Sequence, residues 1–134
     1  MLKSVIALIA GFAIMTFTIL IATIVAVSAL TITPSAPTTQ FLALNVFYSA
    51  AAATFGGYAT ASLAPERPSA HVLILAMMVL IMGVSGFLAP QPGQQRWNLV
   101  AVLVLSPIGV FLGGRLREAQ RRRSQASTAS DTTK

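Results

Sequence analysis

The chain has 134 residues, of which 55% are hydrophobic and 9% are charged, and its mean hydropathy is +0.78. A soluble domain usually carries about a quarter charged residues, so this composition excludes an ordinary water-soluble fold. No Asp, Glu, Lys or Arg occurs between Lys3 and Glu66, a length over which a soluble protein would expose charges. Cysteine is absent, which excludes disulfides, thiolate metal sites and a cysteine nucleophile.

Four apolar segments are long enough to cross a bilayer, which takes about 20 helical residues. Proline-containing connections separate them at residues 33–37, 64–68 and 89–93. Connections this short place consecutive helices side by side and antiparallel. The sequence therefore predicts an all-α, polytopic membrane protein whose residues 1–116 form a bundle of four transmembrane helices. The predicted spans are 5–32, 41–63, 71–88 and 97–114.

The first apolar segment has features of both a span and a signal peptide. It follows Lys3, and Val27-Ser28-Ala29 suits the small-residue rule for cleavage. However, its apolar run is much longer than the about 7 to 15 residues found in signal peptides. We therefore expect an uncleaved span, with cleavage as the alternative.

Positive charge is concentrated at the C-terminal end, where six basic residues follow Gly114. Residues 117–134 are expected to form a basic, disordered cytoplasmic tail, since apolar periodicity stops after about Gln120. Basic residues beside a span are explained by topology and by anionic lipid headgroups rather than by nucleic acid. The residues predicted to contact anionic lipid are Arg115, Arg117, Arg121, Arg122 and Arg123.

The distribution of Lys and Arg also predicts the orientation. With the N-terminus inside, Arg96 is the only one of the nine basic residues on the outer side. Cytoplasmic loops are enriched in Lys and Arg, so both termini are predicted to be cytoplasmic. Phe41 and Trp97 then begin their spans at the outer interface, and Tyr58 lies near the inner end of the second span, as in an aromatic belt.

Small residues recur at four-residue spacing, a pattern by which membrane helices approach each other closely. The second segment carries two such stripes, and the fourth contains a G-x-x-x-G sequence. These faces pack helices within the bundle or, alternatively, form a homodimer. The residues predicted to pack helices are Ser49, Ala53, Gly56, Gly57, Ala61, Gly109 and Gly113.

The second and fourth segments share features that suggest an internal repeat. Each ends in a Gly-Gly pair, Gly56-Gly57 and Gly113-Gly114, and each begins with an aromatic residue after a proline-rich connection. Two copies of one helical hairpin, both pointing the same way, are one interpretation. Chance similarity is the other, because the first and third segments align poorly.

No Asp, Glu, Lys or Arg lies inside the predicted spans. Proton coupling through an intramembrane carboxylate is therefore disfavoured, whereas passage of a neutral solute is not. Ser and Thr in the spans are expected to bond to their own helix, and Pro107 predicts a kink. The neutral polar residues in the spans include Asn45, Ser49, Thr54, Thr60, Ser85, Asn98 and Ser106.

His71 is the only histidine and opens the third segment. The spans offer it neither a second His nor a carboxylate for metal binding or proton relay, so we expect no catalytic, metal or cofactor site. An interfacial side chain bonded to a loop or a headgroup is the expected role. An enzyme that acts on lipid through His71 and Arg67 is an alternative that lacks the usual acid-base pair.

The sequence GGYATASLAPERPSAH, residues 56–71, resembles a hairpin of small bacterial four-span integral membrane proteins of uncharacterised function. In that group a Gly-Gly-aromatic sequence, small residues, a short basic turn and a His that opens the next span recur. Glu66 departs from the all-basic turn. The resemblance implies a bacterial inner-membrane location and the same four-span layout, and it implies nothing about a substrate.

These features favour a non-enzymatic accessory or interaction component of the membrane. Its expected partners are the lipid bilayer, anionic headgroups, and another membrane protein or a second copy of the chain. The alternative is a small homo-oligomeric transporter or channel-like protein for a neutral solute, because four helices alone cannot enclose a wide path.

Overall fold

The computed structural model describes residues 2–30, 37–64, 68–89 and 94–131. They form four helices, α1 (Leu2–Leu30), α2 (Thr39–Leu63), α3 (Pro68–Leu88) and α4 (Arg96–Asp131). The predicted all-α class is confirmed. Three of the helices, α1, α3 and α4, are long and apolar enough to cross a membrane. The second predicted span, α2, is not one of these three.

Local sequence explains where the helices begin. Thr38 precedes α2 with an extended backbone, and its side-chain oxygen accepts a hydrogen bond from the backbone N–H of Phe41 at 3.3 Å. This contact caps one of the N–H groups that have no partner within the helix. Pro68 occupies the first turn of α3, where a missing N–H costs nothing.

Contacts between the helices define the bundle. The partners Thr23–Tyr48 and Gly11–Thr60 show that α1 and α2 are antiparallel. In contrast, α2 and α4 run in the same direction, and their contact is the most extensive in the fold. Helices α3 and α4 are antiparallel again. The consecutive pair α2 and α3 packs less extensively than expected, since α2 lies mainly between α1 and α4.

The interior of the bundle consists mainly of small side chains. Nine residues of α2 are buried, and most of them are Ala, Gly, Ser or Thr. The bulkiest fully buried side chains are those of Leu75, Val110 and Thr60. Small side chains let the helix backbones approach closely, which is the main source of packing energy between helices in lipid.

Large apolar side chains point outward instead. Phe17 is 64% exposed, Phe47 is 74% exposed and Ile81 is 61% exposed. A soluble monomer rarely exposes such continuous apolar surface. Large side chains outside and small side chains inside fit a lipid environment.

The C-terminal end differs from the sequence prediction. Helix α4 continues through the predicted disordered tail as far as Asp131. Arg, Gln, Ala and Glu dominate residues 117–126 and are strong helix formers, so the helix extends beyond the apolar segment without apolar periodicity. Pro107 lies inside this continuous helix.

Candidate functional site

Glycines make the closest contact between α2 and α4. A methyl group added at Gly109 would lie 2.7 Å from the carbonyl oxygen of Ala50. One added at Gly57 would collide with the backbone of Val110, and one at Gly113 would collide with the backbone of α2. A backbone cannot rotate away as the end of a side chain can, so this helix separation requires glycine at these positions.

Helices α1 and α2 meet in a similar way. A methyl group at Gly56 would lie 2.9 Å from the carbonyl oxygen of Gly11. The hydroxyl of Thr60 lies where a side chain of Gly11 would begin. Thr60 is fully buried, and its hydroxyl has no hydrogen-bond partner among the residues that the structure describes. A buried hydroxyl of this kind costs free energy, so the close approach of α1 must offset it.

The remaining residues of the predicted packing faces are also buried. Ala53 and Ala61 are 0% and 1% exposed. A methyl group added at Gly109 would lie 3.2 Å from the Cβ atom of Ala53. Ser49 is 4% exposed and borders a cleft among the helices. The small-residue faces of α2 and α4 are therefore occupied by contacts within one chain.

A hydrogen-bonded network ties α1, α2 and α4 together near the ends that carry Leu30, Thr39 and Arg96. The hydroxyl groups of Thr23 and Tyr48 lie 2.8 Å apart, and the Asn45 amide donates to the Tyr48 hydroxyl at 2.6 Å. Asn98, which is buried, donates to the carbonyl oxygen of Leu42 at 2.9 Å and to the Asn45 side chain at 3.4 Å. This network satisfies buried polar groups and fixes the register of three helices.

Several hydroxyl groups bond to their own helix, as expected. Thr54 donates to Ala50, and Ser85 donates to Ile81, each to a carbonyl four residues earlier. Among the described residues the same geometry occurs at four further positions, Thr18, Thr23, Ser62 and Ser124. Such hydroxyl groups are satisfied locally and offer little to a ligand.

A cleft of about 300 Å³ lies among the four helices. Its walls are mostly apolar and include Phe12 and Met15 of α1, Met82 of α3 and Val102 of α4. Three hydroxyl-bearing residues, Thr16, Ser49 and Ser106, also line it. Within the described part of the chain no Cα atoms of α1 and α4 lie within 8 Å of each other, and residues of both helices line the cleft.

Ser49 and Ser106 share a position in the cleft. Each lies ten residues after the start of its helix, since 49 − 39 and 106 − 96 both equal ten. Because α2 and α4 are parallel, the two serines lie at similar heights, about 15 Å from the helix starts. Both are more than nine-tenths buried, and neither hydroxyl has a hydrogen-bond partner among the described residues.

The opposite end of the bundle carries the basic cluster. The guanidinium of Arg117 lies over the ring of Tyr58, 5.8 Å from its centroid, and the Tyr58 hydroxyl donates to Gln120 at 2.8 Å. These contacts join α2 to the C-terminal part of α4. The side chains of Arg115, Arg121, Arg122 and Arg123 are exposed. Arg115 and Arg122, seven residues apart, share one face of α4, and Arg121 and Arg123 lie to either side of that face.

A second, more polar pocket of about 250 Å³ lies where the start of α3 meets α4. Ser69, Arg115 and Glu118 line it. His71 lies in the first turn of α3 and is half-buried, with an interaction of its own. In the described ranges no group of three or more His, Cys, Asp or Glu is placed to hold a metal ion. Arg67, the other residue of the lipid-enzyme alternative, lies outside the described residues.

Comparison with protein-family models, curated proteins and solved structures finds no match to this chain. The structure nevertheless reveals two features that sequence reasoning missed, the cleft and the roles of Thr23 and Tyr48 in the network. The spacing of Asn45 and Tyr48, three residues apart on one helix face, was a usable signal for the network. The cleft had no comparable signal, because it depends on the distance between α1 and α4.

Proposed function

We propose that the chain is a four-span integral membrane protein of the bacterial inner membrane that acts as a non-enzymatic accessory or interaction component. Support for α2 as the fourth span comes from its surroundings. It contacts α1, α3 and α4, and nine of its residues are buried. A helix that packs against three others needs less apolar surface of its own, because only its outer face, which carries Phe47 and Phe55, meets lipid.

The proposed orientation has both termini in the cytoplasm. It rests on the excess of Lys and Arg at one end of the bundle, where the second pocket and the basic cluster lie. The network of Asn45 and Asn98 then lies near the outer face. Trp97, which is 43% exposed near the start of α4, is at the outer interface in this arrangement.

The length of α4 is the observation that carries the interaction role. Its 36 residues make a helix about 54 Å long, whereas the hydrocarbon core of a bilayer is about 30 Å thick. A basic helical extension of about 24 Å therefore projects beyond the span. Contacts of Tyr58 with Arg117 and Gln120 hold its base. The extension provides a rigid surface for an acidic partner or for anionic lipid.

Affinity purification of the full chain from membranes in mild detergent, followed by native mass determination, tests this role. We expect a distinct protein to co-purify in stoichiometric amount. A variant that ends after Gln120 keeps the four helices and the contacts of Tyr58, and it should lose that protein. If the full chain purifies as a homo-oligomer without another protein, the accessory role is wrong.

A small homo-oligomeric transporter or channel-like protein for a neutral solute is the second candidate. The observation that favours it is the cleft, with hydroxyl groups in an otherwise apolar space at mid-height in the bundle. Flux of neutral solutes into vesicles tests this candidate. Ser49→Ala and Ser106→Ala should lower the flux of a transporter, whereas Ser85→Ala, outside the cleft, should not. Asn45 and Asn98 are less informative sites for substitution because they tie helices together.

A further inference from the structure

We infer that the cleft lined by Ser49 and Ser106 is a binding site for an uncharged, largely apolar molecule that carries a hydrogen-bond acceptor such as a carbonyl group. This inference rests on the four-span placement proposed above, but it does not depend on the accessory role. Ser49 and Ser106 are 4% and 6% exposed and border the same cleft.

The depth of Ser49 and Ser106 in the bundle decides whether water can reach their hydroxyl groups. About 15 Å from the helix starts is the middle of a hydrocarbon core about 30 Å thick. Five other hydroxyl groups of the bundle bond to carbonyls of their own helix, whereas Ser49 and Ser106 make no such bond among the described residues and border the cleft. A hydroxyl group with no partner at this depth costs free energy, because the surrounding acyl chains offer it no hydrogen bond. The two serines are therefore unused hydrogen-bond donors inside an apolar space.

The walls of the cleft restrict what can satisfy these donors. Phe12, Met15, Met82 and Val102 offer no charge and no further hydrogen bonds, so a charged ligand would be desolvated without a counter-ion. One bound water can pair with Thr16, Ser49 and Ser106, but it takes up only about 30 Å³ of the cleft and leaves the apolar walls without a contact. A plain acyl chain would fill the space and leave both hydroxyl groups unpaired. A neutral molecule with an apolar body and an acceptor group fits both the walls and the serines.

The size of the cleft supports the same class of ligand. A volume of about 300 Å³ is at the lower end of the range for small-molecule sites, which is about 300 to 1,000 Å³. It suits a compact molecule of one or two rings rather than a whole phospholipid. Met15 of α1 and Met82 of α3, which both line the cleft, adapt their shapes easily to such a ligand.

Photolabelling of the purified full chain with benzophenone tests the site directly. Benzophenone is an uncharged diaryl ketone that, under illumination, inserts into nearby C–H bonds, including those of methionine. We expect saturable labelling of Met15, which is 7% exposed in the cleft. Met77 and Met78, which are 50% and 40% exposed, are internal controls that should show only non-saturable labelling.

Two variants and a competitor pair test the role of the hydroxyl groups. Ser49→Ala and Ser106→Ala should each weaken saturable labelling of Met15 by about fivefold, the effect of one hydrogen bond. Ser85→Ala, whose hydroxyl bonds to its own helix, is the matched control and should have no effect. In the unmodified protein, dicyclohexyl ketone should suppress labelling at about fivefold lower concentration than dicyclohexylmethane, which has the same shape without the carbonyl group.

Equal, non-saturable labelling of all these methionines would overturn the inference, and so would equal potency of the two competitors. The competitor experiment needs no variant, so it decides the question even if a serine variant fails to fold. Loss of the proposed co-purifying partner would not change labelling of Met15, which keeps this test separate from that of the accessory role.

Discussion

At the scale of single residues, the bundle depends on positions where even a methyl group does not fit. At Gly57 the obstacle is the backbone of Val110, which can move only if α4 moves as a whole. At Gly86 of α3 nothing lies within 4 Å of an added methyl group. Packing therefore requires a glycine at position 57, whereas position 86 has room for a larger side chain.

Gly57→Ala is predicted to destabilise the bundle by about 1 to 3 kcal/mol, the usual cost of overpacking. Gly86→Ala is the matched control, and its stability should change little or rise slightly because Ala favours helix. Unfolding in mixtures of mild detergent and SDS measures both variants. Equal stability of the two variants would contradict the close contact of α2 and α4.

Tyr48→Phe removes one hydroxyl group that bonds to Thr23 of α1 and Asn45 of α2. Hydrogen bonds between membrane helices contribute about 0.6 kcal/mol on average and up to about 1.7 kcal/mol. We therefore expect a loss of about 1 kcal/mol in the same unfolding measurement. Tyr58→Phe removes a more exposed hydroxyl group, which donates to Gln120, and should cost less than about 0.5 kcal/mol. A larger loss of stability in Tyr58→Phe than in Tyr48→Phe would contradict the role of the Tyr48 network in holding the helices together.

At the scale of helices, the sequence predicted α1 and α3 well because long apolar segments between prolines have few alternatives. Helix α3 begins at Pro68, three residues before the predicted start at His71, and ends at Leu88 as predicted. Beyond Gln120 the prediction of disorder relied on the missing apolar periodicity. Periodicity reports burial rather than helix formation, so it could not detect a helix that projects from the bundle.

The basic extension of α4 yields a prediction about lipid contact. Replacing Arg121, Arg122 and Arg123 with Ala should weaken retention of anionic lipid by at most about 1 kcal/mol per residue. Native mass spectrometry of the protein with bound anionic lipid measures this effect. The same three positions changed to Lys keep the charge and are the control. Equal loss in the Ala and Lys variants would indicate that charge is not the cause.

At the scale of the whole molecule, the sequence predicts orientation from charge alone, and a reporter tests it. A reporter fused to the C-terminus should be cytoplasmic, and one inserted at residues 91–93 should be outside. The Ala variant of Arg121, Arg122 and Arg123 should keep this topology, because Arg115 and Arg117 still follow the last apolar segment. A C-terminal reporter on the outer side would contradict the charge argument.

How much of the candidate site the sequence could predict depends on the kind of contact. Gly56, Gly57, Gly109 and Gly113 stood out because close approach selects small residues at a fixed spacing. The cleft did not, since a space between α1 and α4 arises from the positions of all four helices rather than from a local pattern. Ser49 was predicted as a packing residue. The structure shows that it lines the cleft together with Ser106 of α4.

The central position of α2 has a consequence for how the protein is made. Its most extensive contact is with α4, which the ribosome completes only after α3. Until α4 arrives, Gly57 and the other small residues on that face of α2 have no helix against them. The most extensive packing contact of α2 therefore forms late, after the whole chain as far as α4 has been made. Changes such as Gly57→Ala should then affect assembly of the bundle during synthesis as well as its stability once it is complete.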